Sequence, residues 1–365
     1  ETEDTHTMTD VTARFATEAE RQDWDALIAR NPAGGDFLMA ASFAATKASV
    51  GWVPRHLIFS WQGVTSAALV LERRVPLLGR YWYLVKGPSV TSPEEFLGCV
   101  AALRAFIARE KLNVFSVTTE PPLLDDEATH AGLAAIDAEH RPGIQGNTYT
   151  AIVNVAQDDD ALMKSFDSKC RNMIRRAIRD GHEVREYPAD AETYGTMHRL
   201  MRLVGGGKAN LRLRSESYTE TFWNGFSRAG QGTFYGIDVD GSPAVMAYLI
   251  IIGDRAFYKD GGSERERVTP GMSNLVQWHM MRAARDAGCV SYDMVGVPPT
   301  KELNNPEHLN YSVGKFKLAF SRVVTEHIGC YEVVIRPTQA NIWERIGKRV
   351  VSKLHRRRTG DLDLF

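Results

Sequence analysis

The run YSVGKFKLAF (311–320) holds two lysines inside an otherwise apolar stretch. As a strand entering a core through Val313, Phe316, Leu318 and Phe320, it would put Lys315 and Lys317 on one face, because residues two apart in a strand point the same way. Two parallel cations on such an element call for anionic ligands. Cations gather at two further places. Lys169, Arg171, Arg175, Arg176 and Arg179 fall in a helical pattern at 158–180, where few acids interleave after Asp167. That face is either an ordinary solvated surface or a polyanion contact. Arg212 and Arg214 lie where the glycine-rich stretch beginning at residue 205 runs into a helix opening at Ser215 or Ser217. Guanidinium forks suit phosphate.

The elements that must position these groups follow from a duplication. Residues 57–70 alternate, turn at Gln62-Gly63 and alternate again, which reads as a hairpin; 235–249 do the same around Asp240-Gly241. Each hairpin is followed by Arg-x-aromatic-Tyr, Arg80 to Tyr83 and Arg255 to Tyr258. Next comes a helix opened by Ser92-Pro93 or Thr269-Pro270, a cap followed by a proline suited to the first turn. Each helix leads to a strand, 113–117 and 290–295. Four elements in one order at one offset predict two copies of a domain.

Hairpin, strand, helix, strand is the core order of the acyl-CoA N-acetyltransferase (GNAT) fold. The fold class expected is α/β (α+β with mixed sheets), with two tandem GNAT-like domains facing a shared cleft. The first domain is expected at 8–150 plus 331–365 and the second at 151–330. Acyl-CoA enzymes hold pyrophosphate with a glycine-rich loop at a helix N-terminus. Neither KGPSVTSPEEF (86–96) nor RVTPGMSN (267–274) has that form, which points to a different acyl donor.

Composition sets outer bounds. The chain has 365 residues, 44% hydrophobic and 24% charged, with a formal net charge of -1. The whole molecule therefore does not attract nucleic acid, and any polyanion site must come from local clustering. No apolar run approaches the roughly 20 residues of a membrane span. The acidic start ETEDTHTMTD is unlike a signal peptide, and residues 1–7 are expected to be disordered. Cys99, Cys170, Cys289 and Cys330 are far apart. No zinc or redox motif appears, no metal or cofactor is expected, and the cysteines fit small buried residues in a reducing cytoplasm.

Several segments resemble the Fem (FemABX) family of aminoacyl-tRNA-dependent, peptidoglycan bridge-forming aminoacyltransferases. They are KCRNMIRRAIRDGHEV (169–184), LRLRSESY (211–218), the run from DGGSERERV to YDMVGV (260–297) and HLNYSVGKFKLAFSRVVTEHIGCYEVVIRP (308–337). The first half resembles the family more loosely, at FLMAASFAATKASVGW (37–52) and YLVKGP (83–88). The resemblance covers nearly the whole chain but lacks the long coiled-coil arm of some members. It implies transfer of an amino acid from its tRNA ester to an amine on the stem peptide of a precursor, lipid II or UDP-MurNAc-pentapeptide.

By position, the resemblance gives Lys47, Arg214 and Tyr218 to the precursor's diphosphate and nucleotide. It gives Tyr83 and Tyr258 to the acceptor channel, and Phe316 and Lys317 to the transfer site. Lys317 would neutralise a terminal phosphate or ribose oxygen, or stabilise the oxyanion formed when the amine attacks the ester; the alternative is a snorkelling surface lysine. Where the family often has an acid after Gly-Pro, this chain has Thr91. Asp293 and Asp260 are then candidates for handling a proton, although Asp293 equally fits a structural partner at a strand end. Met39-Ala40 and Ser321-Arg322 also depart from the family pattern. They leave open a tRNA donor with a small-molecule or peptide acceptor. An acyl-CoA N-acetyltransferase is a weaker reading.

The tail NIWERIGKRVVSKLHRRR (341–358) places Trp343, Ile346, Val350 and Leu354 on one helical face among many cations. It reads as a last helix packed on the first domain, with peripheral contact to an anionic membrane surface or to tRNA. The chain is expected to act as a cytoplasmic monomer, either free or peripheral at the inner membrane face.

Overall fold

The computed structural model describes residues 10–204, 213–360 and 364–365. The N-terminal heptapeptide and Arg212 lie outside them. The fold divides into two units, one running up to Ile144 and including His327–Phe365, the other spanning Gln145–Glu326.

In the first unit, β1 (Val53–Trp61), β2 (Val64–Val75) and β3 (Gly79–Leu84) form an antiparallel meander. Helix α1 (Pro93–Arg109) then crosses to β4 (Val114–Thr119), which runs parallel to β3. Strand Thr12–Phe15 extends one edge, and Cys330–Val334 followed by Glu139–Arg141 extends the other. Gln62 and Gly63 both take positive φ (45° and 80°), the geometry of a two-residue hairpin turn. The Ser92 hydroxyl caps α1 by accepting the Glu95 amide.

The second unit repeats the plan. Helices α2 (Asp159–Ser165), α3 (Ser168–Arg179) and α4 (Glu216–Arg228) precede β5 (Gly232–Val239), β6 (Ser242–Ile252) and β7 (Arg255–Ser263). Helix α5 (Met272–Asp286) leads to β8 (Ser291–Asp293), parallel to β7. Ile152–Asn154 and Arg185–Tyr187 close the two edges. Asp240 and Gly241 repeat the paired positive φ, at 50° and 76°. The duplicated order is thus visible strand by strand.

Four sequence expectations change. The run 311–320 is no strand: α6 spans Tyr311–Ser321. Its buried residues, Gly314, Lys317 and Phe320, recur every third position, which is one helical face. Positions 316, 318 and 320 fit a period of two while 313, 316 and 320 fit the helical period, and packing selects the helix. Lys315 and Lys317 therefore do not share a face. Lys317 is buried, whereas Lys315 is exposed and donates to the Tyr311 hydroxyl at 2.5 Å.

The pattern at 158–180 breaks into α2 and α3, because Phe166 is extended and Asp167 starts a new helix by accepting the Cys170 amide at 2.6 Å. Arg171 binds the Phe166 carbonyl at 2.5 Å and so closes the end of α2. Asp167→Ala removes the cap and should lower stability by about 1 kcal/mol, read as a fall in the urea midpoint with no change in ligand affinity.

Helix α5 is capped by Gly271 (φ 100°) rather than Thr269, whose hydroxyl instead meets His182 at 2.7 Å. At the tail, a π turn (Trp343–Gly347) precedes α7 (Lys348–Thr359). Trp343 is buried against Tyr81 and Phe115, whereas Ile346, Val350 and Leu354 are exposed. The wide turn separates residues that a regular helix would align.

Candidate active site

In the second unit, α6 carries Lys317 into the protein. Its side chain is 9% exposed. Its Nζ donates to the main-chain carbonyls of Val295 and Gly296, the second at 3.2 Å. Val295 and Gly296 both have positive φ (49° and 69°), which shapes the turn that presents these carbonyls. Asp293, at the end of β8, fixes the same turn: its Oδ1 accepts the Val295 amide at 2.8 Å and also the Thr150 hydroxyl. The Tyr258 ring lies 5.4 Å from Nζ, within cation–π range.

Burial pulls Lys317 down to about 8 from its ordinary 10.5; Asp293 and Asp260 push it up, and Lys259 pushes it down. The ammonium thus dominates at neutral pH, but its proton is far more available than that of a surface lysine. Burial, aided by Asp260, raises the Tyr258 phenol, which stays neutral.

β7 bulges at this point. Tyr248 pairs with Asp260 and Leu249 with Tyr258, so Lys259 is an extra residue. Such bulges re-aim neighbouring side chains. Asp260 accepts from Trp223 of α4 and from Lys259, each at 2.9 Å. Beside the bulge lies a cavity of about 670 Å³, bounded among others by Tyr258, Gly261, Gln277, His308, Tyr311 and Phe316. Tyr258 touches both this space and Lys317. Lys317, Phe316, Asp293, Tyr258 and Asp260 therefore form one constellation.

Arg214 stacks over Tyr218 at 5.1 Å at the start of α4, where Ser215 caps the helix. Lys169, Arg175, Arg176 and Arg179 are exposed on α3, whereas Arg171 is engaged as described. In the first unit, Lys47 is 1% exposed, with its Nζ 5.2 Å from the Phe43 ring. Tyr83 is fully buried; its hydroxyl donates to Glu120 at 2.5 Å, and its ring meets Phe365 edge-on at 5.5 Å. Glu120 also pairs with Lys86 at 3.4 Å. Sequence reading missed Glu120, Lys86, Thr150 and Lys259. An acid ending the apolar strand VFSVTTE was the available signal for Glu120. Thr150 and the bulged Lys259 had none, since their roles come from pairing register.

Residues 168–302 match the acetyltransferase (GNAT) domain family. With the repeated topology, this defines the class: an acyltransferase-type protein of tandem GNAT fold. Relatives narrow it. The lipid II:glycine glycyltransferase of Staphylococcus aureus strain MRSA252 is 22% identical over 90% of this chain and 95% of its own. The crystal structure of FemX superposes with a TM-score of 0.77 at 20% identity, covering 92% of this chain and 99% of that one. A conserved protein of unknown function from Bacteroides thetaiotaomicron reaches 0.55 at 13% identity, covering 88% and 98%. Over nearly its whole length the chain is thus similar to these glycyltransferases and to FemX.

Proposed function

We propose that this protein transfers a glycyl group from glycyl-tRNA to an amine on the stem peptide of a lipid-linked peptidoglycan precursor, building the interpeptide bridge as a monomer. The observation that carries the reading is Lys317, a buried ammonium tied to two carbonyls beside Tyr258 and the adjoining cavity. The relatives named as lipid II:glycine glycyltransferases support glycine as the residue transferred and a lipid-linked acceptor.

Aminolysis of an ester needs orientation, exclusion of water and removal of one proton. The acceptor nitrogen attacks the ester carbonyl, and a C–N bond forms as the C–O bond to ribose breaks. The proton lost by the amine ends on the ribose oxygen. Lys317 donates to the carbonyl oxygen as it gains charge, which is worth the most in a site from which water is excluded. Asp293 is a positioning residue: it fixes the turn that holds Lys317 and keeps the amine charged. Tyr258 and Phe316 line the space where the acceptor amine meets the donor ester. Arg214, Tyr218, Lys47 and Tyr83 serve the precursor. Lys169, Arg175, Arg176 and Arg179 meet tRNA phosphates.

Coenzyme A is disfavoured as donor by the helix that would cradle its pyrophosphate. A Cβ at Gly271 would fall 2.1 Å from the Met173 carbonyl oxygen, so α3 packs directly on the N-terminus of α5. The test is a panel of charged tRNAs mixed with lipid-linked or UDP-linked precursor, read as mass gained by the acceptor. Addition of one glycine residue from glycyl-tRNA is expected. Transfer from acetyl-CoA with none from any tRNA would sink the reading.

A further inference from the structure

We infer that the C-terminal helical segment is a docking surface for an anionic phospholipid bilayer. Ile342, Ile346, Val350 and Leu354 recur every four residues and are 44%, 62%, 49% and 51% exposed. Single exposed aliphatics are ordinary; a row of four along one helical segment is not. The segment is anchored from its other side, by Trp343 against Tyr81 and Phe115 and by buried His355. The row is therefore held outward by the packing.

Between Ile342 and Thr359 stand seven lysines and arginines and one acid, Glu344. Lys348 lies 3.8 Å from that acid, while Arg345, Arg349, Lys353 and Arg356 to Arg358 are exposed. An aliphatic row flanked by cations matches the interface of an anionic leaflet, which takes apolar side chains below the headgroups and cations at the phosphates. A nucleic-acid backbone would use the cations but gain nothing from the row. A second copy of the chain would bring the same cations against themselves. No helix among the described residues is long and apolar enough to cross a membrane, so the contact is peripheral. The inference rests on the transferase reading for its purpose, bringing the enzyme to a lipid-linked acceptor, while its chemistry stands without it.

The test floats the full chain with vesicles of phosphatidylcholine alone or mixed with phosphatidylglycerol. Salt-sensitive binding to the mixed vesicles is expected. The double variant Ile346→Asp/Val350→Asp should lose about tenfold or more in vesicle affinity, and Arg349→Gln/Lys353→Gln should lose a similar amount. Both exchange exposed residues, and unchanged thermal melts confirm that they fold. Transfer to a soluble UDP-linked acceptor should be the same in the Asp pair and the parent, so loss of docking and loss of catalysis are read separately. Undiminished vesicle binding by the Asp pair overturns the inference. So does a parent chain that ignores anionic vesicles but self-associates through the row, or one that ignores them and binds tRNA through these arginines.

Discussion

Lys317→Met should slow transfer about a hundred- to a thousandfold while changing precursor affinity by no more than about twofold. Methionine fills similar space but cannot donate to an oxyanion, so the loss falls on kcat. Equal losses in kcat and in binding would reduce Lys317 to a binding residue. The pH profile gives a second readout. Lys317 titrates near 8 in the folded protein, so the charged donor is present below that pH and lost above it. The acceptor amine acts in the opposite sense, because it must be neutral to attack. Their product is a bell, one limb of which lies near pH 8 and belongs to Lys317. Lys317→Arg keeps its charge and should move that limb to higher pH, whatever its effect on the absolute rate.

The same residue makes a stability prediction of definite sign. The folded-state value is depressed from 10.5 to about 8. Between those values the unfolded chain holds a proton that the folded chain has released, so stability rises with pH across the window. The buried charge thus costs stability in full below pH 8 and progressively less up to pH 10.5. Taken whole, the shift corresponds to about 3 kcal/mol. Chemical denaturation of the parent and of Lys317→Met should differ by that much more at pH 7 than at pH 10.5. In absolute terms the variant gives back part of its gain, since it leaves the Val295 and Gly296 carbonyls without this donor.

How much of this was legible in the sequence divides along physical lines. The hairpins were, because Gln62-Gly63 and Asp240-Gly241 carry their turn geometry locally. So was α1, whose cap and proline are adjacent. The identity of α6 was not. Phe316, Leu318 and Phe320 alternate as a strand would, and only burial of Gly314, Lys317 and Phe320 on one side selects the helix. Lys317 could be singled out as a cation in an apolar run and by family position, but its partners could not. The Val295 and Gly296 carbonyls are backbone atoms of an unusual turn, and Thr150 comes from a strand more than a hundred residues away. The tail shows the same limit: a π turn reassigned its faces, which no side-chain period announces.

Gly314→Ala should destabilise the protein and cripple transfer, although alanine is the better helix former by about 1 kcal/mol. Gly314 lies inside α6, three residues before Lys317. A Cβ there would stand 2.3 Å from Pro298 Cδ and 3.1 Å from its Cγ. A proline ring cannot swing away without moving its backbone, and Pro298 lies two residues after Gly296, whose carbonyl binds Lys317. Relief of the clash must separate α6 from that segment, which moves the amine relative to its two carbonyls. Overpacking of this kind costs about 1–3 kcal/mol and outweighs or cancels the helical gain. Displacement of a reacting group by about 1 Å can cost about a hundredfold in rate. A lowered melting temperature with kcat down by about that factor is expected, and Pro298→Ala in the same chain should restore part of both losses, as coupled neighbours do. A Gly314→Ala protein that melts higher and transfers at the parent rate would mean that the contact between α6 and Pro298 does not position Lys317.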